Sequence, residues 1–322
     1  METVTLDPVD RGLVHALQID ARAPLRTIAG VLDVSENTIA RRYRRLREAE
    51  ILRVIGVLDG RRLGYTSWTM RLQCTPDAAG AVAGALAQRS DTAWVYLMSG
   101  GTEVACNVQM RGADERDALL LDKLPRTGRV IAVSAHALLH ATALPRTWQG
   151  LHALSPEQAE ALAPPPIEPD AAPSDLGAAD QALLDALARD GRLGYAELAT
   201  ITGWSDSTVR RRVEALRRSG MLSFLLDVSP EAFGFGASAR LWMAVPPSSL
   251  TPVAEALACH PEISFCAVTT GPTNLLANVN CRDTGDLYRY LTERIGAIEE
   301  IRSVETAPII RTVKRAGAVL RV

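Results

Sequence analysis

The sequence predicts an α+β protein that consists of two tandem copies of one unit. Three observations support this prediction. The segment that begins at Leu6 matches the segment that begins at Leu176 without a gap, at a constant offset of 170 residues. In both copies, a stretch of helical periodicity precedes an alternation of β-like and helical stretches. A proline-rich segment separates the copies, and so long a period indicates duplication of a whole unit rather than a solenoid repeat.

The composition is that of an ordinary globular protein, with 47% hydrophobic and 22% charged residues in a chain of 322. No apolar run approaches the roughly 18 to 20 residues that span a bilayer, and the acidic start does not resemble a signal segment. We therefore expect a cytoplasmic protein that does not engage a membrane. The net charge of −2 does not exclude a nucleic-acid partner, because the basic residues are clustered.

The five cysteines are scattered and form no closely spaced pair with each other or with histidines. Zinc sites and disulfide scaffolds both need closer or denser ligands. We expect buried free thiols, no metal site and no cofactor.

Residues of several chemical types recur between the copies. The matched pairs at offset 170 include Asp10/Asp180, Asp20/Asp190, Arg22/Arg192, Ser35/Ser205 and Arg42/Arg212. A weaker match continues at offset 171, with Gly100/Gly271 and Asn107/Asn278. We call the first part of each unit its head and the second part its body. The predicted order is head 1 (1–60), body 1 (61–150), a proline-rich linker (151–175), head 2 (176–230) and body 2 (231–322).

Each head has the pattern of three helices followed by a strand. In head 1, helices are predicted over 10–20, 25–32 and 36–49, and Ser35 is a suitable N-cap for the third. Ile39, Tyr43 and Leu46 share one face of that helix. The strand over 51–57 is predicted to form one limb of a wing, which makes each head a winged helix-turn-helix.

The third helix of each head carries the candidate DNA-binding residues. A recognition helix enters the major groove with polar residues of its N-terminal half, while arginines neutralise phosphates. The alternative interpretation of the arginine run is a solvated basic face, but the run recurs in the second copy. The predicted DNA-binding residues are Ser35, Asn37, Thr38, Arg41, Arg42, Arg45, Ser205, Ser207, Thr208, Arg210, Arg211 and Arg212.

The two heads are not identical, since Arg44 and Arg45 correspond to Glu214 and Ala215. We therefore expect the heads to prefer different half-sites.

Each body has the order βαββαβ, which describes a ferredoxin-like sheet with helices on one face. The predicted elements are 67–74, 76–88, 92–98, 103–110, 113–124 and 129–139 in body 1, and 237–245, 250–259, 263–269, 274–281, 284–295 and 298–309 in body 2. An open sheet with one uncovered side is a natural pairing surface. The sequence does not decide whether the bodies pair within one chain or between chains.

A glycine-containing turn joins the second and third strands of each body. It is Ser99-Gly-Gly-Thr-Glu103 in body 1 and Thr270-Gly-Pro-Thr-Asn274 in body 2. Glycine there satisfies ordinary hairpin chemistry, or alternatively lets a small ligand approach the backbone.

These residues together resemble the Lrp/AsnC family of prokaryotic regulators. The resemblance rests on Leu6-Asp-x-x-Asp10, on Leu17-x-x-Asp20-x-Arg22, on the run from Ser35 to Leu46 and on the two glycine hairpins. It implies a DNA-binding transcription regulator with a pseudo-palindromic operator, a small-molecule effector such as an amino acid, and a homo-oligomer (dimer or tetramer). The effector residues that it implies are Gly100, Gly101, Thr102, Glu103, Gly271, Thr273 and Asn274.

Two other functions fit the same architecture. The first is an enzyme similar to siroheme decarboxylases, for which His136 and His140 are candidate proton donors. Their counterparts are Ala307 and Arg311, so no histidine is repeated. The second is a ligand-sensing protein that has lost DNA binding, against which the retained arginines argue. We expect a regulator and not an enzyme.

Overall fold

The computed structural model of the chain describes residues 6–119, 129–164 and 176–316. The chain divides into two compact units. The first unit extends to Leu63 and resumes over Leu151–Ala232, so it contains both heads. The second unit comprises Gly64–Gly150 and Phe233–Ala318 and contains both bodies. None of the helices in the described ranges has the length and hydropathy needed to cross a membrane.

Head 1 has the predicted three helices and strand. They are α1 (Pro8–Ile19), α2 (Leu25–Val31), α3 (Glu36–Glu48) and β1 (Leu52–Leu58). Asp7 caps α1 by accepting the backbone N–H of Asp10, and Asp10 accepts that of Asp7 in return. Leu17, Ile28 and Leu46 are fully buried, so each of the three helices contributes to the core of head 1.

Body 1 follows in the predicted βαββαβ order. Its elements are β2 (Tyr65–Cys74), α4 (Ala79–Ala87), β3 (Thr92–Met98), β4 (Glu103–Arg111), α5 (Gly112–Asp117) and β5 (Val130–Ala143). The predicted helix over 113–124 extends past the described residues after position 119. Alternate residues of the strands, such as Met70, Leu72 and Val104, pack under the helices.

The segment after body 1 packs against head 1. The short helix α6 (Pro156–Glu160) has Ser155 as its N-cap, and the Ser155 hydroxyl accepts the backbone N–H of Gln158. Just before it, the backbone amides of residues 153 and 154 donate to Nδ1 of His15 at 3.1 and 3.0 Å. His15 is buried and stacks on His152 at 4.4 Å between ring centroids. Burial, with a smaller contribution from His152, lowers the pKa of His15 to about 4, so the ring accepts as a neutral imidazole.

Head 2 repeats head 1. Its elements are α7 (Gln181–Arg189), α8 (Tyr195–Thr202), α9 (Asp206–Arg218) and β6 (Leu222–Val228). The helix α8 ends at Gly203, whose φ of +72° lies in the left-handed region that glycine adopts without strain. Val209, Val213 and Leu216 of α9 are buried, as the spacing of apolar residues predicts.

Body 2 consists of β7 (Ala237–Ala244), α10 (Leu250–Ala258), β8 (Ile263–Thr269), β9 (Leu275–Cys281), α11 (Thr284–Arg289) and β10 (Ser303–Lys314). The final strand begins at Ser303 rather than at residue 298 as predicted. Ile298 and Ile301 instead pack against the core of body 2 from the loop before the strand. The strand prediction was therefore wrong for residues 298–302, which precede β10 as a loop.

The strands that end the heads pair with each other. β1 and β6 are antiparallel, in a register that runs from Leu52 opposite Val228 to Leu58 opposite Leu222. The prediction that β1 is one limb of a wing is wrong in this respect, because the partner strand belongs to the other head. A single strand leaves backbone groups unpaired along both edges, and the counterpart strand satisfies those along one edge.

The two bodies form one closed sheet of eight strands, in the order β10-β3-β4-β2-β5-β8-β9-β7. Within each body the order is that of a ferredoxin-like sheet, and β5–β8 and β3–β10 join the bodies. The helices pack on the outer faces, while Tyr96, Trp242 and Leu276 pack between the two sheets. Pairing within one chain, which the sequence left open, is thus the arrangement found, and among the described residues the eight-stranded sheet of the bodies has no open edge.

Candidate nucleic-acid interface and effector site

The recognition helices α3 and α9 have matching N-termini. Ser35 accepts the backbone N–H of Thr38 at 3.1 Å, and Ser205 accepts that of Thr208 at 3.2 Å. Each threonine hydroxyl also lies 2.8 Å from its serine hydroxyl, so these four predicted site residues form the caps. The unpaired amides and dipole of a helix N-terminus favour a phosphate at this position.

Asn37 and Ser207 occupy the same place in the first turns of α3 and α9, and both are exposed. Ser207 has its hydroxyl 3.0 Å from that of Ser205. A short polar side chain at this place in a recognition helix is suited to contact a base edge.

Arg42 and Arg212 do not face solvent in the way that the sequence interpretation requires. Arg42 donates to Asp10 at 2.9 Å and to Asp7 at 2.6 Å, and the side chain of Asp10 is 1% exposed. Arg212 forms two hydrogen bonds with buried Asp180, at 2.7 and 2.8 Å. Each arginine neutralises a buried carboxylate inside its own head. Both residues thus have a structural role inside their heads, which leaves less of each guanidinium for DNA.

Arg45 is intermediate, because it bonds Asp10 at 2.5 Å while its side chain is half exposed. In α9 its counterpart is Ala215. The predicted contribution of Arg45 to DNA binding thus competes with a contact inside head 1.

Other arginines of the recognition helices face outward. Arg41, Arg44 and Arg211 are exposed, and no hydrogen bond or ion pair engages them within the described parts of the chain. Arg210 is also exposed; it lies 4.4 Å from the ring of Tyr195 and 4.0 Å from Asp206. These side chains give each recognition helix a cationic outer face that can neutralise phosphates or reach guanine.

Two reciprocal arginines lock the heads together. Arg22 donates to the carbonyl of Gly191 at 2.6 Å, and its counterpart Arg192 donates to the carbonyl of Ala21 at 2.7 Å. Burial lowers the pKa of both guanidinium groups, although each also lies over an aromatic ring of the other head. The repeated motif Asp-x-Arg was visible in the sequence, but its role in pairing the heads was not predicted.

Ion pairs follow the same symmetry, with Asp20 against Arg217 at 3.2 Å and Asp190 against Arg47 at 2.8 Å. Ile55 pairs with Leu225, its own counterpart at offset 170, at the centre of the β1–β6 ladder. The heads are therefore related by an approximate two-fold axis, as two DNA-reading heads of a dimer would be.

The glycine hairpin of body 1 exposes its backbone. Ser99, Gly100 and Gly101 have φ values of +52°, +69° and +86°. A Cβ at Gly100 or Gly101 would meet no atom within 4 Å, so open space adjoins both residues. Thr102 turns its hydroxyl back to the carbonyl of Ser99 at 2.9 Å. The geometry is compatible with the predicted backbone cradle for a small ligand.

Charged side chains lie next to this hairpin. Glu103 accepts from Ser99 at 2.9 Å and from Arg71 at 2.7 Å. Arg71 also bonds Glu305 of body 2 at 2.6 Å, which lowers the pKa of that carboxyl, and lies 4.3 Å from the ring centroid of Trp242. Two carboxylates therefore share one guanidinium. Sequence reasoning found Glu103 but missed Arg71 and Glu305, because β10 of body 2 comes together with body 1 only in the closed sheet.

The equivalent hairpin of body 2 is already filled. A Cβ at Gly271 would lie 2.4 Å from two atoms of the His136 ring, which comes from β5 of body 1. Asn274, predicted as a ligand contact, holds both the N–H and the C=O of Val245. Thr273 contributes its carbonyl to Thr269 at 3.2 Å. The predicted effector residues of body 2 are thus engaged within the protein.

A fully buried cation lies between the two sheets. Arg240 donates to Thr69 at 2.9 Å, to Asn107 at 3.2 Å and to Asn278 at 3.4 Å, and it lies over the ring of Tyr96. Burial lowers its pKa. Its position within an apolar strand was the available sequence signal.

The cysteines agree only partly with expectation. Four are buried free thiols, but Cys259 is exposed. Among the residues that the structure describes, no group of three histidine, cysteine or acidic side chains is placed to hold a metal ion.

Family models match most of the predicted segments. The AsnC-type helix-turn-helix domain matches residues 6–47 and 178–217, and the Lrp/AsnC ligand binding domain matches 239–319. An HTH-type transcriptional regulator of Pyrococcus abyssi is 34% identical over 139 residues, which is 43% of this chain and 87% of the relative. The regulatory protein AsnC of Escherichia coli K12 is 33% identical over 142 residues, or 42% of this chain and 93% of the relative.

A solved structure has the same duplicated architecture. The siroheme decarboxylase NirDL superposes with a TM-score of 0.62 over 96% of this chain and 93% of its own, at 16% identity. At that identity the likeness shows the fold alone. The regulators that match by sequence each correspond to one unit, and this chain carries two helix-turn-helix segments. The chain belongs to the Lrp/AsnC family of DNA-binding transcription regulators, in a double-length form.

Proposed function

We propose that the protein is a sequence-specific transcription regulator whose two unlike recognition helices read one pseudo-palindromic operator. The observation that carries this proposal is the division of the arginines into two groups. Arg42 and Arg212 neutralise buried carboxylates, whereas Arg41 and Arg211 remain exposed beside the polar first turns of α3 and α9. A head retained only as scaffold would need the first group and not the second.

The site residues then have separate roles. Asn37, Ser207 and Arg41 with its counterpart Arg211 contact base edges, and Arg210 and Arg45 contact phosphates beside them. The four cap residues fix the helix N-termini against the backbone. The approximate two-fold axis between the heads supports a pseudo-palindromic operator, and the unlike helix surfaces support unlike half-sites.

The direct test retains genomic DNA fragments on the purified protein at two salt concentrations and sequences them. We expect a small set of sites, retained less at higher salt because counterions are released on binding. Arg41→Ala and Arg211→Ala should each weaken binding by about 1–3 kcal/mol, mainly at one half-site. Arg146→Ala is the matched control, since Arg146 is exposed but lies outside the heads. Equal retention of all fragments at both salts would contradict the proposal.

We further propose that the effector binds beside the hairpin of body 1, and that one chain takes one effector molecule. The exposed backbone of Gly100 and Gly101 suits a carboxylate, and the excess of acid at Glu103 and Glu305 over Arg71 suits an ammonium group. An amino acid carries both groups. Calorimetric titration with each of the common amino acids tests this, with Gly100→Val as the variant expected to lose binding.

We infer that the chain acts as a regulator and not as an enzyme. His136, one of the two candidate proton donors, packs on Gly271, and His140 is exposed on β5. NirDL shares the architecture of this chain, so the rival function needs its own measurement. Purified protein mixed with an iron-uroporphyrin analogue should show no shift of the visible absorbance; a saturable shift with loss of a carboxylate would support a decarboxylase instead.

A further inference from the structure

Equivalent positions of the two bodies can be assigned from strand register. Thr69 lies opposite Asn107 in body 1, and Arg240 lies opposite Asn278 in body 2. Both pairs are related by the offset of 171 residues that the sequence repeat shows. Thr69 and Arg240 are therefore counterparts.

Counterparts meet each other where the two sheets face. Arg240 donates to Thr69 at 2.9 Å. Two residues further along each strand, Arg71 lies over the ring of its own counterpart, Trp242, with 4.3 Å to the centroid. Such self-equivalent contacts lie on the approximate two-fold axis, where a pair of identical bodies would place two identical side chains. Here the guanidinium of Arg240 meets the hydroxyl of Thr69, which accepts a hydrogen bond, and the guanidinium of Arg71 meets the aromatic ring of Trp242.

A pair made of two copies of the same body would lose these favourable contacts. Two copies of body 2 would bring Arg240 against a second Arg240, both fully buried, and Trp242 against Trp242. Two copies of body 1 would bring Arg71 against Arg71. The aromatic ring over Arg240 would also be lost, because the counterpart of Tyr96 is Ala267. Two fully buried guanidiniums that face each other without an acid between them, as two Arg240 side chains would, are unfavourable.

The heads show the same asymmetry independently. Arg53 of β1 bonds Asp227 of β6 at 2.8 Å, and the side chain of Asp227 is 2% exposed. The equivalent cross-strand pair on the other side of the axis is Val57 opposite Ser223. A pair of like heads would place Arg53 opposite valine, or buried Asp227 opposite serine.

We propose that each half of this chain selects the unlike half as its pairing partner and rejects a second copy of itself. The selecting contacts are Arg240 with Thr69, Arg71 with Trp242, and Arg53 with Asp227. The chain thus carries its own partner, and the two unlike heads always read DNA together. Any larger assembly must use surfaces other than the closed sheet and the β1–β6 ladder.

Full-length variants test the proposal, with hydrogen exchange as the readout because it separates the bodies from the heads. Thr69→Arg reproduces the contact of two like bodies and should speed exchange of the β5–β8 and β3–β10 amides about tenfold or more, with the heads as internal reference. Thr69→Met adds a side chain of similar length without charge and should have a smaller effect. Gln73→Arg places the same cation at an exposed position of β2 and should leave exchange unchanged.

The decisive variant is the exchange Thr69→Arg with Arg240→Thr, which moves the cation across the axis. We expect it to recover most of the protection that Thr69→Arg loses. If the double variant is as unprotected as Thr69→Arg, or if Thr69→Met is equally damaging, crowding explains the loss and the proposal is overturned. It is also overturned if Thr69→Arg exchanges like the parent protein.

Discussion

Replacement of Arg42 by alanine separates the two roles that arginines have in the recognition helix. Arg42 holds the buried carboxylate of Asp10, whereas Arg41, its neighbour in α3, is exposed and has no hydrogen bond or ion pair within the described structure. From the sequence alone, both arginines are predicted to bind DNA. We expect Arg42→Ala to destabilise the head and Arg41→Ala to weaken DNA binding.

The magnitude follows from the contacts. Breaking a buried ion pair by removing one partner costs about 3–5 kcal/mol, because the other charge stays buried. The side chain of Arg42 is 20% exposed and Arg45 still contacts Asp10, so the loss in the free energy of unfolding should be about 2–3 kcal/mol. For a unit of this size, that corresponds to a decrease in Tm of roughly 5–10 °C.

Differential scanning calorimetry of the full chain measures the stability, and a DNA titration well below Tm measures the affinity. Arg41→Ala should leave Tm within about 1 °C of the parent, since surface substitutions rarely change stability by more than about 0.5 kcal/mol. Arg212→Ala should repeat the result of Arg42→Ala in head 2, because Asp180 loses its partner there. If Arg42→Ala keeps the parental Tm but loses DNA affinity, Arg42 contacts DNA and the assignment here is wrong.

Three further predictions concern other parts of the molecule. Because burial holds the pKa of His15 near 4, against 6.5 when exposed, its contribution to the free energy of unfolding is complete above about pH 6.5 and falls by up to roughly 3 kcal/mol toward pH 4. Denaturation with urea across that range should show a larger fall in the parent than in His15→Gln, where His152, whose pKa burial also lowers, still titrates; the same pH dependence in both would refute the role of His15. His136→Ala should empty the hairpin at Gly271 and raise effector stoichiometry from one to two per chain, as calorimetric titration would show; an unchanged stoichiometry would mean that this hairpin is no ligand site. Arg192→Ala should weaken the contact between the heads and lower the affinity for a complete operator more than for a single half-site, and equal losses on both DNAs would contradict it.

Much of the fold could be predicted because its signals are local. The N-caps at Ser35 and Ser205, the apolar faces of the third helices and the turn glycines each act over a few residues, and they gave the helices and most strands of both copies. Because the repeat has no gap, the helices predicted for one head could be assigned to the same positions in the other. The strand predicted over 298–309 shows the limit, since the strand begins only at Ser303, and Ile298 and Ile301 pack against the core from the loop before it.

The sequence by itself determined the family, the duplication and the basic helices, since these depend on residue type and spacing along the chain. Only the tertiary structure decided which charges are free and which strands are partners. Arg42 and Asp10 are 32 residues apart, and Arg71 and Glu305 are 234 apart, so neither pairing leaves a periodic trace. The same holds for His136 on Gly271, which fills one of two hairpins that look alike in sequence. The physical reason is that burial and ion pairing depend on which surfaces come together in the folded protein. The same residue type can therefore pack in a core or bind a ligand, and only its neighbours in the structure decide which.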